Sequence, residues 1–549
     1  MTVDLLTFVF SMLFTMALIP IFCGMALRLG ILLDVPNERK MHRLPIPKVG
    51  GIAMTLGVIA PLVFWGDFGE FAQAALLGAG IIVLFGLLDD IWELHFLGKF
   101  AGQFIAAFLV IFKGGLLITY LGTILPGVSS VSPLISIVLT AGVIVGVTNA
   151  INLADGLDGL AGGICMLSFI TIAYFAHSLG MGDIVLLALA VSGAIFGFLR
   201  FNTYPATIFM GDTGSQLLGF LAVTLALKLT QCHGPFSPYL SLLILGFPIL
   251  DTVVVSCERI AAGKSPFMAD KNHLHHKLIR LGFFHTEAVF HIYVMQIVYV
   301  TAAFFFRFYT DRFILLFYLI FSTLIASFLI VSDKSGFRLQ RFDLIDKVIK
   351  GKLRVLRKDN LLIKISFKFV LASVPLLLLF SCFFPASLPV YYSYFPFVQI
   401  ILLLVVWLVR REWVEGIIRI CLFVTIPYVV YFAEVEPVSW IPESVFLFYN
   451  IWGGVTVFFI LLTMKLTRRT EGLKATPLHF LILFFALIIP NLPDENIGNV
   501  YLGMIAAKTI LFFFGFEVLI GELRNKMDWL CLVTLSSFIV LALKVFWGV

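Results

Sequence analysis

Charge is scarce in this sequence. Asp, Glu, Lys and Arg make up 13% of 549 residues, against about 25% in a soluble domain. That excludes a conventional soluble enzyme, and with a net charge of only +6 no nucleic-acid partner is expected. Cysteine is sparse too: the seven residues show neither paired spacing nor a metal-ligand pattern, which excludes a disulfide framework. No HExxH motif and no internal repeat occur, and no basic segment precedes the first apolar run, Leu5 to Leu27, so that run is expected to be a retained span and not a leader. What abounds is apolar: 60% of residues are hydrophobic and the mean hydropathy is +1.05. The fold class expected is an all-α polytopic membrane protein.

Eleven runs long enough to cross a bilayer lie near 5–27, 49–65, 71–88, 100–120, 133–148, 160–177, 184–200, 214–231, 238–257, 288–306 and 313–331. Seven more lie near 363–384, 394–410, 414–433, 444–464, 477–490, 499–519 and 528–547. The loops alternate in charge. One set carries Arg28, Arg39, Lys40, Arg43 and Lys48, then Lys99, Arg200, Arg259, Lys264 and Lys277, and a basic stretch at 334–368. The other carries Asp67, Glu70, Asp183, Glu434 and Glu436, with 307–312 as its exception. By the positive-inside rule the first set is cytoplasmic and the N-terminus is outside. Every polar motif falls on that cytoplasmic side.

The densest motif, NAINLADGLDGLAGG (Asn149 to Gly163), joins two apolar runs. Its carboxylates, Asp155 and Asp158, and its amides sit at the mouth of a hydrophobic span, where an ionisable pair is costly without a function. Its glycines suit a loop that grips phosphate or sugar; a polar helix cap is the plainer alternative. Asp89 and Asp90 end the third span, where adjacent carboxylates suit a divalent cation or a base, or else a cap. Lys99 lies close enough in sequence to return to them as a phosphate contact. In FNTYPATIFMGDTGS (201–215), Asp212 stands between glycines ahead of an apolar helix, bringing a hard oxygen ligand to backbone N–H groups. The ring of Phe209 could face a base or simply pack. The loop DVPNERKMHRLPIPKVGG (34–51) clusters Arg39, Lys40, His42, Arg43 and Lys48, either as a grip on a phosphorylated substrate or as an orientation signal. Asp251, Glu258, Arg259 and the histidines His273, His275 and His276 form the last group. Beside lysines and arginines, these histidines fit phosphate oxygens better than zinc.

These motifs together resemble the polyprenyl-phosphate N-acetylhexosamine-1-phosphate transferases. LDD at Leu88 to Asp90, NAINLADGLDGLAGG, FNTYPATIFMGDTGS and NHLHH occur in order over residues 1–332, and HLHH resembles the N-acetylglucosamine-1-phosphate branch. The resemblance implies transfer of sugar-1-phosphate from a UDP-sugar to undecaprenyl or another polyprenyl phosphate, releasing UMP. That would be the first step of a cell-envelope glycan such as O-antigen, lipopolysaccharide or teichoic acid. It implies a Mg2+ cofactor, with Mn2+ as a substitute, held by Asp212 with Asn152. Asp158 and Phe209 would hold the uracil, with Asn202, Arg259, Arg39, Lys40, His42 and Lys48 also in substrate binding. Asp89 and Asp90 would act on the lipid phosphate, Lys99 on phosphate, Asp155 within the active site, and His273, His275 and His276 on the sugar phosphate. The usual third acid of the DDxxD pattern is here Glu93. The implied location is the bacterial inner membrane, with the active site on its cytoplasmic face.

Residues 333–362 alternate basic and apolar residues, as an amphipathic linker on the inner leaflet would. Residues 363–549 form a second multi-span module outside the resemblance, expected to handle lipid, dock a partner or make a homo-oligomer. The rival function is an ion-coupled transporter, but transporters place such groups near the bilayer midplane, and here they gather at loop mouths.

Overall fold

In hydrocarbon every backbone N–H and C=O must be satisfied internally, which leaves an apolar chain the helix. The computed structural model describes residues 2–34, 45–66, 68–124, 131–231, 234–265, 272–336, 338, 361–386, 390–466, 502–523 and 527–547. Among these, twelve helices are long and apolar enough to cross a membrane and three apolar ones are shorter. One antiparallel ribbon occurs, β1 (Leu33–Asp34) with β2 (Ile46–Pro47). The chain is an all-α integral membrane protein. Arg39, Lys40, His42, Arg43, most of the basic linker and the run at 477–490 lie outside the described residues.

The chain divides into two compact units. The first, Met1–Leu339, contains α1 (Thr2–Leu29), α2 (Gly50–Trp65), α3 (Glu70–Trp92), α4 (Phe96–Phe112), α5 (Pro133–Ala154), α6 (Leu160–Ser178) and α7 (Gly182–Asn202). It continues with α8 (Gly211–Gln231), α9 (Leu240–Ile244), α10 (Gly246–Ala261), α11 (Leu274–Arg280), α12 (His285–Phe306) and α13 (Asp311–Lys334). At the centre stands α8, buried from Thr213 to Leu227 and packed against α2, α3, α5 and α6. Small residues let α1 and α7 meet closely: a Cβ on Gly193 would lie 2.2 Å from the Phe8 carbonyl oxygen, and one on Gly197 2.6 Å from that of Met12.

Each of the first eleven apolar runs carries helix, with two departures. The fourth run stops at Phe112, well short of residue 120. Past the helix Gly115 takes φ +63, and buried Ile118 in the irregular segment beyond is satisfied by side chains of α5. Thr140 Oγ1 accepts from Ile118 N at 2.9 Å, and Ser136 Oγ donates to Ile118 O at 2.8 Å.

The ninth run breaks at Leu245 into α9 and α10. Pro248 has no N–H to offer the Ile244 carbonyl four residues back. Ser168 Oγ (2.7 Å) and Gln296 Nε2 (2.8 Å) donate to that carbonyl instead, while Gln296 Oε1 accepts from Phe247 N at 2.9 Å. One amide from α12 thus completes both sides of the break, which turns α10 toward the histidines.

The second unit, within Gln340–Ala475 and His479–Val549, contains α14 (Leu361–Phe383), α15 (Val390–Val409), α16 (Val414–Val435), α17 (Glu443–Leu466), α18 (Leu502–Glu522) and α19 (Met527–Trp547). A ladder of buried hydroxyls joins α14 to the antiparallel α17: Ser366 to Thr463 (2.5 Å), Ser373 to Thr456 (2.6 Å) and Ser381 to Tyr449 (2.5 Å). The rungs fall seven or eight residues apart along both helices, two turns each, so they share one face. Near Tyr449, the Lys508 ammonium pairs with Glu434 and lies 4.6 Å from the tyrosine ring centroid.

Gln296 is fully buried (0% exposed), so Gln296→Leu strands the Phe247 N–H. We expect it to cost about 1–3 kcal/mol, read as a lower thermal midpoint of the full-length protein in detergent; an unchanged midpoint would refute the latch.

Candidate active site

The site begins where α3 ends against the start of α8. A helix start leaves N–H groups unsatisfied, and here a neighbouring helix caps it. Asp90 Oδ1 accepts from Asp212 N (3.0 Å), and Oδ2 accepts from Thr213 N (3.0 Å) and Thr213 Oγ1 (2.7 Å). Gly211 is required between them: its φ is +69 and a Cβ there would lie 2.5 Å from Asp90 Oδ2. Asp90 is therefore engaged in holding the GDTG turn. The next residue back behaves otherwise, because neighbours on a helix point about 100° apart. Asp89 is 6% exposed, its Oδ2 lies 2.5 Å from Lys99 Nζ, and its Oδ1 is buried with no hydrogen-bond partner. Lys99 Nζ also donates to Asp212 Oδ2 at 2.7 Å, so one ammonium bridges two carboxylates. Glu93 turns out of the helix end with φ +49 and is exposed.

The loop from α5 to α6 closes over this pair. Asn152 Oδ1 accepts from Ser215 Oγ at 2.6 Å, tying it to the first turn of α8. Asp155, half-buried just past α5, has its carboxyl pushed up to about 7, first by burial and then by the negative charges of Asp212, Asp158 and Asp90. Asp158 Oδ2 accepts from Ala206 N (3.0 Å), while the Asp158 N–H is held by His285 Nε2 (2.8 Å) and the Gly159 carbonyl by Tyr293 Oη (2.6 Å). Asn202, 3% exposed, accepts from Gly159 N through Oδ1 and donates to Ile208 O through Nδ2. Both ends of its amide bond to the loops, so Asn202, expected in substrate binding, staples them together here.

The first loop reaches the same place through backbone. Phe209 N donates to Pro47 O (2.9 Å), Gly50 N to Phe209 O (3.0 Å) and Gly51 N to Met210 O (2.9 Å). This sets the half-buried Phe209 beside the KVGG turn and brings Lys48 within electrostatic reach of Asp212. Lys48 Nζ also lies 3.9 Å from Asp34 Oδ1.

The histidines approach from α11. His275 is 2% exposed and neither ring nitrogen has a partner. Its ring presses on the loop so closely that a Cβ on Gly156 would lie 2.3 Å from Nε2. Burial, and then the charge of His276, drive its pKa down to about 3, so the ring is neutral at physiological pH. His276 sits against it, with centroids 4.2 Å apart, and His273 pairs with Asp251 at 2.8 Å. Arg259 is buried on α10, beside Glu258.

The structure thus gathers Asp89, Lys99, Asn152, Asp155, Asp212 and Lys48 at one mouth, with His275 against the neighbouring loop. Several contributors were not anticipated as site residues: His285, Tyr293, and an amide layer of Gln103, Asn149 and Gln216. Gln103 donates to Gln216 Oε1 (3.0 Å) and accepts from Asn149 Nδ2 (2.7 Å). Gln103 lies one turn along from Lys99, as Gln216 does from Asp212, and the signal for the two glutamines was a polar side chain inside an apolar run.

The two adjacent acids should separate by experiment. Asp90→Ala removes three bonds from the start of α8 and is expected to lower both the thermal midpoint and turnover. Asp89→Ala removes a carboxylate with one orphan oxygen and is expected to lower turnover alone. A cap of this kind contributes about 1–2 kcal/mol, and equal midpoints for the two variants would contradict the assignment.

Residues 72–230 match the family profile described as glycosyl transferase family 4. The chain is 37% identical over 301 residues to "Probable undecaprenyl-phosphate N-acetylglucosaminyl 1-phosphate transferase" of Bacillus subtilis (strain 168), covering 54% of this chain and 83% of that one. It is 36% identical over 294 residues to "Decaprenyl-phosphate N-acetylglucosaminephosphotransferase" of Mycobacterium leprae (strain TN), covering 47% of this chain and 73% of that one. With "Undecaprenyl-phosphate alpha-N-acetylglucosaminyl 1-phosphate transferase" of Escherichia coli (strain K12) the identity is 32% over 263 residues, covering 47% and 71%. Identity above 30% across more than two thirds of these relatives shows that the chain belongs to glycosyl transferase family 4, among the polyprenyl-phosphate N-acetylglucosamine-1-phosphate transferases.

Proposed function

We propose that the first unit transfers N-acetylglucosamine-1-phosphate from UDP-N-acetylglucosamine to undecaprenyl or another polyprenyl phosphate, with release of UMP, as the opening step of an envelope glycan. The observation that carries this is the single ammonium of Lys99 held between Asp89 and Asp212, with Asp155 crowded beside them. Such an excess of carboxylate over cation is suited to receive positive charge, and a diphosphate needs that charge beside it.

Among the described residues no three His, Cys, Asp or Glu side chains stand close enough to hold a metal by themselves. The donor set still fits Mg2+, with Mn2+ as a substitute, because Mg2+ takes one or two carboxylates and fills the rest of its shell with water and substrate phosphate. Asp212 and Asn152 would hold it, and the orphan Oδ1 of Asp89 leaves a further hard oxygen nearby. When bound, the ion would neutralise charge on the departing UMP. Lys99 would pass from its two carboxylates to a phosphate oxygen, and Lys48 would offset repulsion between donor and acceptor anions. The neutral ring of His275 would offer a hydrogen bond to the sugar phosphate, and Phe209 with Asp158 would hold the base. The acceptor's tail would stay in the bilayer, which accounts for a membranous catalyst. Basic loops on this side favour the cytoplasmic face of a bacterial inner membrane, with the N-terminus outside. The second unit would serve as an accessory module for lipid, partner or self-association.

Purified full-length protein, supplied with UDP-N-acetylglucosamine, Mg2+ and a polyprenyl phosphate, is expected to release UMP only when lipid and metal are both present. Asp212→Ala is expected to lower that rate by about 10³-fold or more with membrane insertion intact; near-normal turnover would discard the metal assignment.

Ionisation gives a second test. A carboxyl that titrates near 7 is part-protonated in the metal-free protein at that pH, and a bound cation favours its charged form. Adding Mg2+ at pH 7 should therefore release protons, seen by calorimetry in buffers of different ionisation enthalpy. The release should shrink in Asp155→Asn; an equal release in both proteins would exclude Asp155 as its source.

A further inference from the structure

The α11 helix is only seven residues long, Leu274–Arg280, too short to hold its own position. Charge anchors it on α10. Asp251 and Glu258 lie seven residues apart on α10 and so share a face, while His273 and Lys277 lie four apart at α11. Asp251 Oδ2 meets His273 Nδ1 at 2.8 Å, and Glu258 Oε1 accepts from Lys277 Nζ at 2.6 Å. The carboxylates are about 10 Å apart along one axis and their partners about 6 Å along the other, a difference that the long Glu and Lys side chains absorb. Arg280 then fixes the far end through Nε to Asp333 Oδ1 (3.0 Å) and Nη2 to Oδ2 (2.6 Å).

Of these anchors Asp251 is the one whose side chain is bonded to a histidine ring. It is fully buried (0% exposed), and its second oxygen accepts from Leu274 N at 2.7 Å. An ionised carboxylate has no hydrogen to give, so the hydrogen in the Asp251–His273 contact must sit on Nδ1. The His273 ring stacks on that of His275, with centroids 5.7 Å apart and planes 12° from parallel. The setting of His273 therefore passes to the ring pressed against Gly156.

We propose that Asp251 is the positioning residue of the histidine motif: it keeps the hydrogen on Nδ1 of His273 and leaves the Nε2 lone pair to accept a hydrogen from a hydroxyl or amide of the donor's sugar. This rests on the donor assignment made above for the histidines. A carboxylate buried behind an imidazole commonly fixes which ring nitrogen faces the chemistry. Asp251 lies in an apolar run 22 residues from His273 and touches no substrate in this role.

The test separates positioning from helix capping. Asn caps a helix about as well as Asp, and in Asp251→Asn the amide oxygen can still accept from Leu274 N, with the Glu258–Lys277 and Arg280–Asp333 anchors untouched. If Asp251 only caps α11, D251N keeps wild-type kcat, and that result overturns the proposal. If it sets the histidine, D251N lowers kcat about 10- to 100-fold with the thermal midpoint retained, and Asp251→Glu, which restores a carboxylate, recovers part of the loss. The double variant D251N/H273A should then be no slower than H273A within about 2-fold, measured as UMP release by the full-length protein. Losses that multiply would mean Asp251 acts other than through His273 and would also overturn the proposal. Wild-type turnover in H273A alone would instead overturn the donor assignment of His273, and this role with it; a slow H273A beside a fast D251N would leave that assignment standing.

Discussion

Carboxylates crowded at the ends of buried helices are the constraint that the first unit is arranged to meet. Two like charges about 4 Å apart repel by about 4 kcal/mol at an effective dielectric of 20, more than most single contacts contribute. Lys99 relieves this by lying between Asp89 and Asp212, and Asp90 relieves it by accepting three hydrogens from the start of α8. Asp155 receives no such relief, and its carboxyl responds by holding its proton to about 7. The arrangement is therefore tense toward negative charge and receptive to positive charge, the property a site for diphosphate and divalent ion requires.

Holding that arrangement needs irregular backbone at the edge of hydrocarbon, and irregular backbone needs partners. The loop from α5 to α6 is gripped by Asn202 from α7, by His285 and Tyr293 from α12 and by the Ala206 amide. The break between α9 and α10 is completed by Gln296 and Ser168. In each case a polar side chain inside an apolar helix does what water would do elsewhere. α12 contributes to both, so the same helix that supports the active-site loop also supports the bend that carries α10 to the histidines.

The second unit uses polar groups differently. Its hydroxyl ladder between α14 and α17 is regular, two turns per rung, and serves helix association. The pair of Lys508 and Glu434 is satisfied internally and lies against Tyr449. In the first unit, Asp89 Oδ1 and both nitrogens of His275 are buried without a hydrogen-bond partner beside the converging loops. Unmade hydrogen bonds in a low-dielectric setting are costly, and a polar ligand at this mouth would supply partners for Asp89 and His275.

Composition and hydropathy were enough to determine the membrane class, the helical spans and the motifs that would meet, because the demand for internal backbone bonding acts on each segment separately. The motifs also pointed to Asp212, Asn152 and Lys99, which the fold brings to one mouth. Only the tertiary structure could divide Asp89 from Asp90, adjacent in sequence but turned apart on the helix, or show Asn202 stapling two loops. The same holds for Asp251, His285 and the glutamine layer, whose partners are 22 to 127 residues away. Such roles follow from what a side chain faces once helices pack, and no local pattern of residues records which faces will meet.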